Sequence, residues 1–108
     1  MRIGVPKEIK VHEYRVGMVP ASVREAVHHG HQVIIESGAG AGVGFGDDAY
    51  IKAGAEIGSD AAAVFAAGDM VVKVKEPQAS EIPMLRENQV LFTYLHLAAE
   101  PEQTAGLV

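Results

Sequence analysis

Four short runs of β-branched and other apolar residues place the strongest constraint on how this chain of 108 residues can fold. They are Ile3 to Val5, Val33 to Ile35, Met70 to Val74 and Val90 to Tyr94. Each run is continuous rather than alternating apolar with polar residues, which is typical of strands covered on both faces of a sheet. Covering both faces requires helices on both sides, so the runs indicate an α/β fold.

Segments with the apolar spacing of helices lie between the runs, and residues that start or end helices bound them. The expected start and end residues are, in chain order, Pro20 and Gly30, Asp47 or Asp48 and Ala53, and Ser59 or Asp60 and Gly68. Strand and helix therefore alternate, with connections long enough for crossovers between parallel strands. We predict a three-layer domain, flavodoxin-like or Rossmann-like, in which a parallel sheet is flanked by helices.

Composition and charge exclude several classes of protein. Nine Lys and Arg against fourteen Asp and Glu give a net charge of -5, so we expect no nucleic-acid partner. The absence of cysteine excludes disulfides and thiolate metal sites. No apolar stretch has the length of a signal peptide or of a membrane span, so we expect a cytoplasmic protein with no membrane partner.

The end of the sequence reads as unfinished. Pro101 is placed to start a helix through Leu107, yet the chain stops at Val108 without a residue that could cap it. We therefore expect the natural polypeptide to continue, with residues 1–108 as the truncated front part of one domain.

Polar residues that follow the strands are the first candidates for a site, because ligands of an open parallel sheet bind outside the carboxyl ends of its strands. Arg15 lies in the long loop after the first run, Lys75 follows the third and His96 follows the fourth. Arginine can grip a carboxylate, lysine can donate to a carbonyl oxygen and histidine can move a proton near neutral pH. The three residues suit a small carboxylate that carries a carbonyl or amino group.

Each candidate also has a purely structural alternative. Arg15 can form a surface ion pair with Glu13. Lys75 can belong to a solvated strand end together with Lys73. His96 has apolar neighbours in sequence and can be a hydrogen-bonded histidine of the core.

Two conspicuous patterns do not predict a cofactor or a metal. The glycine-rich stretch 38–46 departs from the dinucleotide-binding pattern, and Asp47 and Asp48 would place negative charge where a pyrophosphate rests. We expect a flexible connection there and no cofactor site. The histidines within residues 28–31 would project about a third of a turn apart on a helix, which suits one metal ion poorly. We expect no metal site.

Five motifs carry a resemblance that covers essentially the whole chain. They are GVPKEIK from Gly4, HEYRV from His12, ESGAG from Glu36, KVKEP from Lys73 and LFTYLHLA from Leu91. The chain resembles alanine dehydrogenases and the related α subunit of nicotinamide nucleotide transhydrogenase. The last two motifs look like alanine dehydrogenase, since transhydrogenase subunits lack the histidine.

The resemblance implies a substrate domain of the formate/glycerate dehydrogenase catalytic-domain type. It implies that Arg15 and Lys75 bind the substrate carboxylate and carbonyl, that Lys75 and His96 are catalytic, with His96 in proton transfer, and that Tyr94 lines the pocket. The implied reaction interconverts L-alanine and pyruvate plus ammonium, using NAD. The cofactor would be held by a second, Rossmann-type domain that this chain lacks, so the fragment alone would be inactive, and the intact protein would be a homo-hexamer. The alternatives are a non-catalytic module that binds small oxo or amino acids, and a transhydrogenase α-subunit domain.

Overall fold

The computed structural model describes residues 1–9, 13–75 and 77–93 of the chain. Within these residues one sheet has five parallel strands in the order β3-β2-β1-β4-β5. The strands are β1 Arg2–Val5, β2 Gln32–Glu36, β3 Glu56–Gly58, β4 Met70–Val72 and β5 Val90–Phe92. This order is that of a Rossmann-type sheet and differs from the 2-1-3-4-5 order of flavodoxin. The predicted parallel α/β fold is confirmed, and its strand order is the Rossmann-like one.

Three helices begin and end close to the predicted residues. They are α1 Pro20–His28, α2 Asp47–Ala53 and α3 Ala61–Ala67, and two short 3-10 turns span Ala41–Val43 and Ile82–Met84. Asp60 caps α3 as predicted, since its carboxylate accepts a hydrogen bond from the Ala63 N–H at 2.8 Å. None of the helices in the described ranges has the length and hydrophobicity that a membrane crossing needs.

The cap predicted at Asp47 or Asp48 is wrong. Gly46 holds the cap position of α2, and Asp47 is the first helical residue. The Asp47 carboxylate reaches back to the end of β2 instead, where it accepts hydrogen bonds from Ser37 Oγ at 2.7 Å and from the Gly38 N–H at 2.9 Å. These two bonds lower the pKa of Asp47, that from Gly38 most. Asp47 therefore fixes the start of the glycine-rich loop.

Helices cover the two faces of the sheet in different ways. On one face α1 and α2 pack over buried side chains, and Val5, Ile35, Val23 and Tyr50 are fully buried there. On the other face α3 lies across β1, β2 and β3. It comes close because Gly4 and Gly58 have no side chains: a Cβ atom at Gly4 would lie 2.8 Å from the Val64 carbonyl oxygen.

Three strands differ from the prediction, and for β5 the difference is that it ends at Phe92 rather than at Tyr94. Strand β3 went unpredicted because its three residues contain a single large apolar side chain, Ile57, which is too little for a periodicity to register. Strand β4 ends at Val72 rather than at Val74. It ends early because the Glu8 carboxylate, rather than a neighbouring strand, accepts the hydrogen bonds of the Val74 and Lys75 N–H groups.

The close approach of α3 predicts how the sheet responds to a methyl group at Gly4. In the intact polypeptide Gly4→Ala should lower the free energy of unfolding by about 1–3 kcal/mol, because the new Cβ meets the backbone of Val64. Denaturant unfolding measures this. Gly46→Ser is the control, since its Cβ enters open space and serine is a favoured cap residue. Equal stability of the two variants would contradict the close packing.

Candidate functional site

The candidate site lies where the direction of the chain through the sheet reverses. Strand β1 pairs with β2 on one side and with β4 on the other. Helix α1, which follows β1, packs on one face, and α3, which precedes β4, packs on the opposite face. A crevice therefore opens outside the carboxyl ends of β1 and β4, the usual ligand position in such sheets. Arg15, Lys75 and Glu8 all lie in the segments that follow these two strands.

The loop that carries Arg15 is held in place from three directions. A Cβ atom at Gly17 would lie 2.5 Å from the Val72 carbonyl oxygen, so only glycine lets the loop rest on the end of β4. The buried Tyr50 hydroxyl donates a hydrogen bond to the Met18 carbonyl at 2.8 Å, and burial raises the pKa of this hydroxyl. Gly42 packs against the backbone of Tyr14. Contacts with the core therefore fix the position of the backbone that carries the Arg15 side chain.

Arg15 and Glu13 form the ion pair that the sequence suggested as the structural alternative. Arg15 Nε donates to Glu13 Oε2 at 2.9 Å, and Arg15 Nη2 donates to Glu13 Oε1 at 2.8 Å. The Arg15 N–H donates to Oε2 as well, at 2.9 Å. The Arg15 side chain is 62% exposed and that of Glu13 only 6%. The pair therefore differs from an ordinary surface ion pair, because a sheltered carboxylate orients a guanidinium that stays open to a ligand.

The charges at this site act strongly on Glu13. The side-chain hydrogen bonds from Arg15 contribute most to lowering the pKa of Glu13 from 4.5 to about 2, against the opposing effect of burial. The backbone N–H of Arg15 and the charges of Arg15 and Lys75 lower the pKa of Glu13 further. The same contact raises the pKa of Arg15, with a smaller contribution from the charge of Glu8. The charges of Arg15 and Lys75 thus both act on the carboxylate of Glu13.

Lys75 is half-buried just beyond β4, and its N–H donates to Glu8 Oε1 at 3.2 Å. The solvated strand end proposed as its alternative is wrong for Lys73, which is completely buried. Lys73 Nζ lies 3.1 Å from Glu8 Oε1 and 3.1 Å from Glu81 Oε2. The contact with Glu81 is an ion pair without hydrogen-bond geometry, since Glu81 Oε2 has no hydrogen-bond partner within the described residues.

The roles of Lys73, Glu8 and Glu81 were not predicted from the sequence. A signal was present, because Lys73 interrupts the apolar run from Met70 to Val74, and a charge inside a buried run requires a buried partner. Many carboxylates could have served, and the sequence does not say which of them the fold brings to Lys73. Only the topology, which sets the ends of β1 and β4 side by side, selects Glu8.

Two cavities meet at Arg15. The larger, of about 390 Å³, is mostly apolar, and the smaller, of about 50 Å³, holds the charged groups. The larger is lined by Arg15, Val16, Val19, Val43, Phe45 and Val74. The smaller is lined by Lys7, Glu8, Glu13, Tyr14, Arg15, Gly38, Ala39 and Gly42. A cation at the boundary between apolar and charged surface suits a small ligand with an anionic end.

Tyr94 and His96 lie outside the described residues. The strand before them, β5, ends at Phe92 and pairs with β4. Arg15 and Lys75 are the two predicted site residues that the structure describes, and it places both beyond the carboxyl ends of neighbouring strands.

The glycine-rich loop does not fit a nicotinamide dinucleotide. The Gly38 N–H is already bound to the Asp47 carboxylate, and the N–H groups of Ala41 and Val43 donate to carbonyls within the loop. Asp47 and Asp48 occupy the first turn of α2, where a phosphate would require free N–H groups. The loop is also more ordered than a flexible connection, since Gly40 packs directly on the Tyr50 ring.

Two histidines near the end of α1, His28 and His29, contact each other and a glutamate of the same helix. The rings of His28 and His29 meet edge to face with their centroids 5.7 Å apart. His29 Nε2 lies 3.0 Å from Glu25 Oε1, one helical turn earlier. Among the residues that the structure describes, no three His, Cys, Asp or Glu side chains are grouped so that they could hold a metal ion.

Comparison with known proteins places the chain in a family. A family model described as "Alanine dehydrogenase/PNT, N-terminal domain" matches residues 4–108. The chain belongs to this family. Curated relatives include alanine dehydrogenases of Halomonas elongata, 51% identical over 108 residues, and of Methanococcus maripaludis, 53% identical over 108 residues. The alanine dehydrogenase of Bacillus subtilis is 53% identical over 107 residues.

Solved structures agree with the family. An L-alanine dehydrogenase superposes with a TM-score of 0.95 and 52% identity over 99% of this chain and 29% of that one. A transhydrogenase from Sinorhizobium meliloti superposes with a TM-score of 0.91 and 32% identity over 99% of this chain and 32% of that one. The three dehydrogenase sequences named above align with all or nearly all of this chain. The chain spans only 28–29% of the length of each of them.

The lowered pKa of Glu13 predicts a pH-dependent contribution to stability. The ionised carboxylate stabilises the fold fully above its ordinary pKa of 4.5, and this contribution is lost as the pH falls through about 2. In the intact polypeptide Glu13→Gln should therefore be less stable than the parent near neutral pH, and the difference should shrink as the pH falls below 4.5. Denaturant unfolding at a series of pH values measures it. Glu56→Gln, at an exposed position of β3, is the control; a Glu13 difference that stays constant with pH would contradict the assignment.

Proposed function

We propose that this chain is the front part of the substrate domain of an alanine dehydrogenase, which interconverts L-alanine and pyruvate plus ammonium. The observation that carries the proposal is the juxtaposition of Arg15 and Lys75 beyond β1 and β4, where both cations act on the Glu13 carboxylate. A guanidinium and an ammonium at one edge of the sheet suit a small 2-oxo or 2-amino acid. The identity of 51–53% to curated alanine dehydrogenases supports the same substrate class.

Arg15 would bind the substrate carboxylate. Glu13 accepts from Nε and Nη2 and so takes two of the five N–H donors of the guanidinium, while the side chain remains 62% exposed. A substrate carboxylate can use other donors of the same group. The apolar walls of the larger cavity, among them Val43 and Phe45, offer space for a methyl group such as that of pyruvate or alanine.

Lys75 would donate a hydrogen bond to the carbonyl oxygen of pyruvate. A cation there stabilises the negative charge that develops on this oxygen when ammonia adds to the carbonyl carbon. His96 would transfer the protons that addition of ammonia and loss of water require, because an imidazole titrates near neutral pH. Tyr94 would line the pocket. These roles for His96 and Tyr94 rest on the family motif.

The remaining parts of the enzyme would lie outside this chain. We propose that NAD binds to a second, Rossmann-type domain of the same polypeptide, since the glycine-rich loop here does not fit it. The polypeptide would act in the cytoplasm as a homo-hexamer, and residues 1–108 would be inactive by themselves. A native polypeptide with a measured mass several times the 11.4 kDa of this chain would support this organisation; a mass near 11.4 kDa would instead favour the small-molecule binding module.

A transhydrogenase subunit is the second candidate function. The transhydrogenase structure shares the fold with a TM-score of 0.91, but its identity of 32% is well below the 52% of the alanine dehydrogenase structure. The motifs that contain Lys75 and His96 favour the dehydrogenase. Transhydrogenation between two nicotinamide cofactors in the absence of any amino or oxo acid would favour the second candidate.

The proposed function predicts which side chains turnover depends on. In the intact polypeptide His96→Ala should lower kcat for pyruvate amination by about 10²–10⁴-fold, the usual contribution of proton transfer by a positioned side chain. Initial rates of NADH oxidation with pyruvate and ammonium measure it. His28→Ala is the matched control, because His28 is exposed at the end of α1. Near-normal turnover of a folded His96→Ala variant would overturn the proposal.

A further inference from the structure

One carboxylate receives hydrogen bonds from three consecutive residues at the end of β4. Glu8 Oε1 accepts from Lys73 Nζ at 3.1 Å and from the Lys75 N–H at 3.2 Å. Glu8 Oε2 accepts from the Val74 N–H at 3.0 Å. The bonds from the two N–H groups hold the two successive peptide groups that lead into Lys75. The carboxylate therefore fixes the point from which the Lys75 side chain starts.

The surroundings of Glu8 make this arrangement rigid. The side chains of Glu8 and Glu81 are each 1% exposed and that of Lys73 is 0% exposed, so solvent screens these ion pairs little. Fully buried prolines, Pro6 and Pro77, lie close in sequence on the β1 and β4 sides. Because proline fixes its own φ angle, the backbone of each segment has fewer conformations available near the cluster.

A contribution to stability does not by itself explain why Glu8, Lys73 and Glu81 are buried together. Removing two carboxylates and an ammonium from water costs free energy that their mutual attraction only partly returns, and apolar side chains often serve a core equally well. Glu8 nevertheless lines the smaller cavity together with Glu13 and Arg15. The Glu8 charge acts on Arg15, and the Lys75 charge acts on Glu13. Its position thus agrees with a role in arranging the site.

We propose that Glu8, held by Lys73, is a positioning residue that sets the direction of the Lys75 side chain toward the substrate. The inference rests on the proposed function, in which Lys75 donates to the carbonyl oxygen of pyruvate. Glu8 acts through the backbone of Lys75 and has no contact with the substrate. Lys73 supplies the charge that keeps the Glu8 carboxylate in place, and Glu81 holds the ammonium from its other side.

The test is a double-mutant cycle in the intact polypeptide. Glu8→Gln replaces one acceptor oxygen by an NH₂ group, which cannot accept from the donors around it. The expected result is a loss of about 10²-fold in kcat/KM for pyruvate, the typical cost of a misplacement near 1 Å, with the KM for NADH unchanged. In the Lys75→Ala background the same substitution should cause no further loss, because the side chain that it misdirects is gone. Glu56→Gln is the control at an exposed carboxylate.

Glu8→Asp keeps the test decisive if Glu8→Gln does not fold. It retains the buried charge opposite Lys73 but withdraws the carboxylate by one methylene, so kcat/KM for pyruvate should again fall, and again only when Lys75 is present. Unchanged kcat/KM in a folded Glu8 variant, or an equal loss with and without Lys75, would overturn the positioning role. Full activity of Lys75→Ala itself, against an exposed control such as Lys52→Ala, would instead overturn the proposed function.

Discussion

The pairing of β1 with β4 is the constraint from which the site follows. Ile3 pairs with Met70 and Gly4 with Val71, so both strands end at the same edge of the sheet. The connection after β1 packs on one face and the connection before β4 on the other. No helix can then cover the edge between them, and the residues that follow the two strands face the same crevice. A site at this position is a consequence of strand order before any side chain is chosen.

The loops on that edge depend on the core for their shape. Gly17 allows one loop to rest on the backbone of Val72, and Tyr50 joins the same loop to α2 through a buried hydrogen bond. Asp47 holds the start of the glycine-rich loop from the first turn of α2. Polar groups that could have bound a phosphate are thereby used for internal structure. The glycines serve close packing here, and the cations of the neighbouring segments are left as the groups that can meet a ligand.

The sequence predicts those parts of the fold that follow a local pattern. The structure differs from the prediction where residues far apart in sequence determine whether a strand forms or where it ends. The helix starts at Pro20 and Asp60 are local signals and were correct. The edge strand β3 has one apolar side chain and depends on its pairing with β2 for its existence. The end of β4 was misplaced because Glu8, more than sixty residues earlier, accepts the hydrogen bonds that would have continued the strand. The positions of Arg15 and Lys75 just beyond strands were predictable from the apolar runs that precede them, whereas their carboxylate partners required the tertiary structure.

The carboxylates offset the charges of the two cations at this edge of the sheet. Arg15 and Lys75 would repel each other in an apolar crevice, and the cost of that repulsion falls when a sheltered anion lies near both. Glu13 serves this purpose at the Arg15 guanidinium, which explains why its pKa is as low as about 2. Glu8 is the buried anion on the Lys75 side, where it accepts hydrogen bonds from the Lys75 N–H and from the ammonium of Lys73. In the proposed enzyme a substrate carboxylate would therefore enter a site already arranged for negative charge, so binding would require little reorganisation, the condition under which electrostatic stabilisation is most effective.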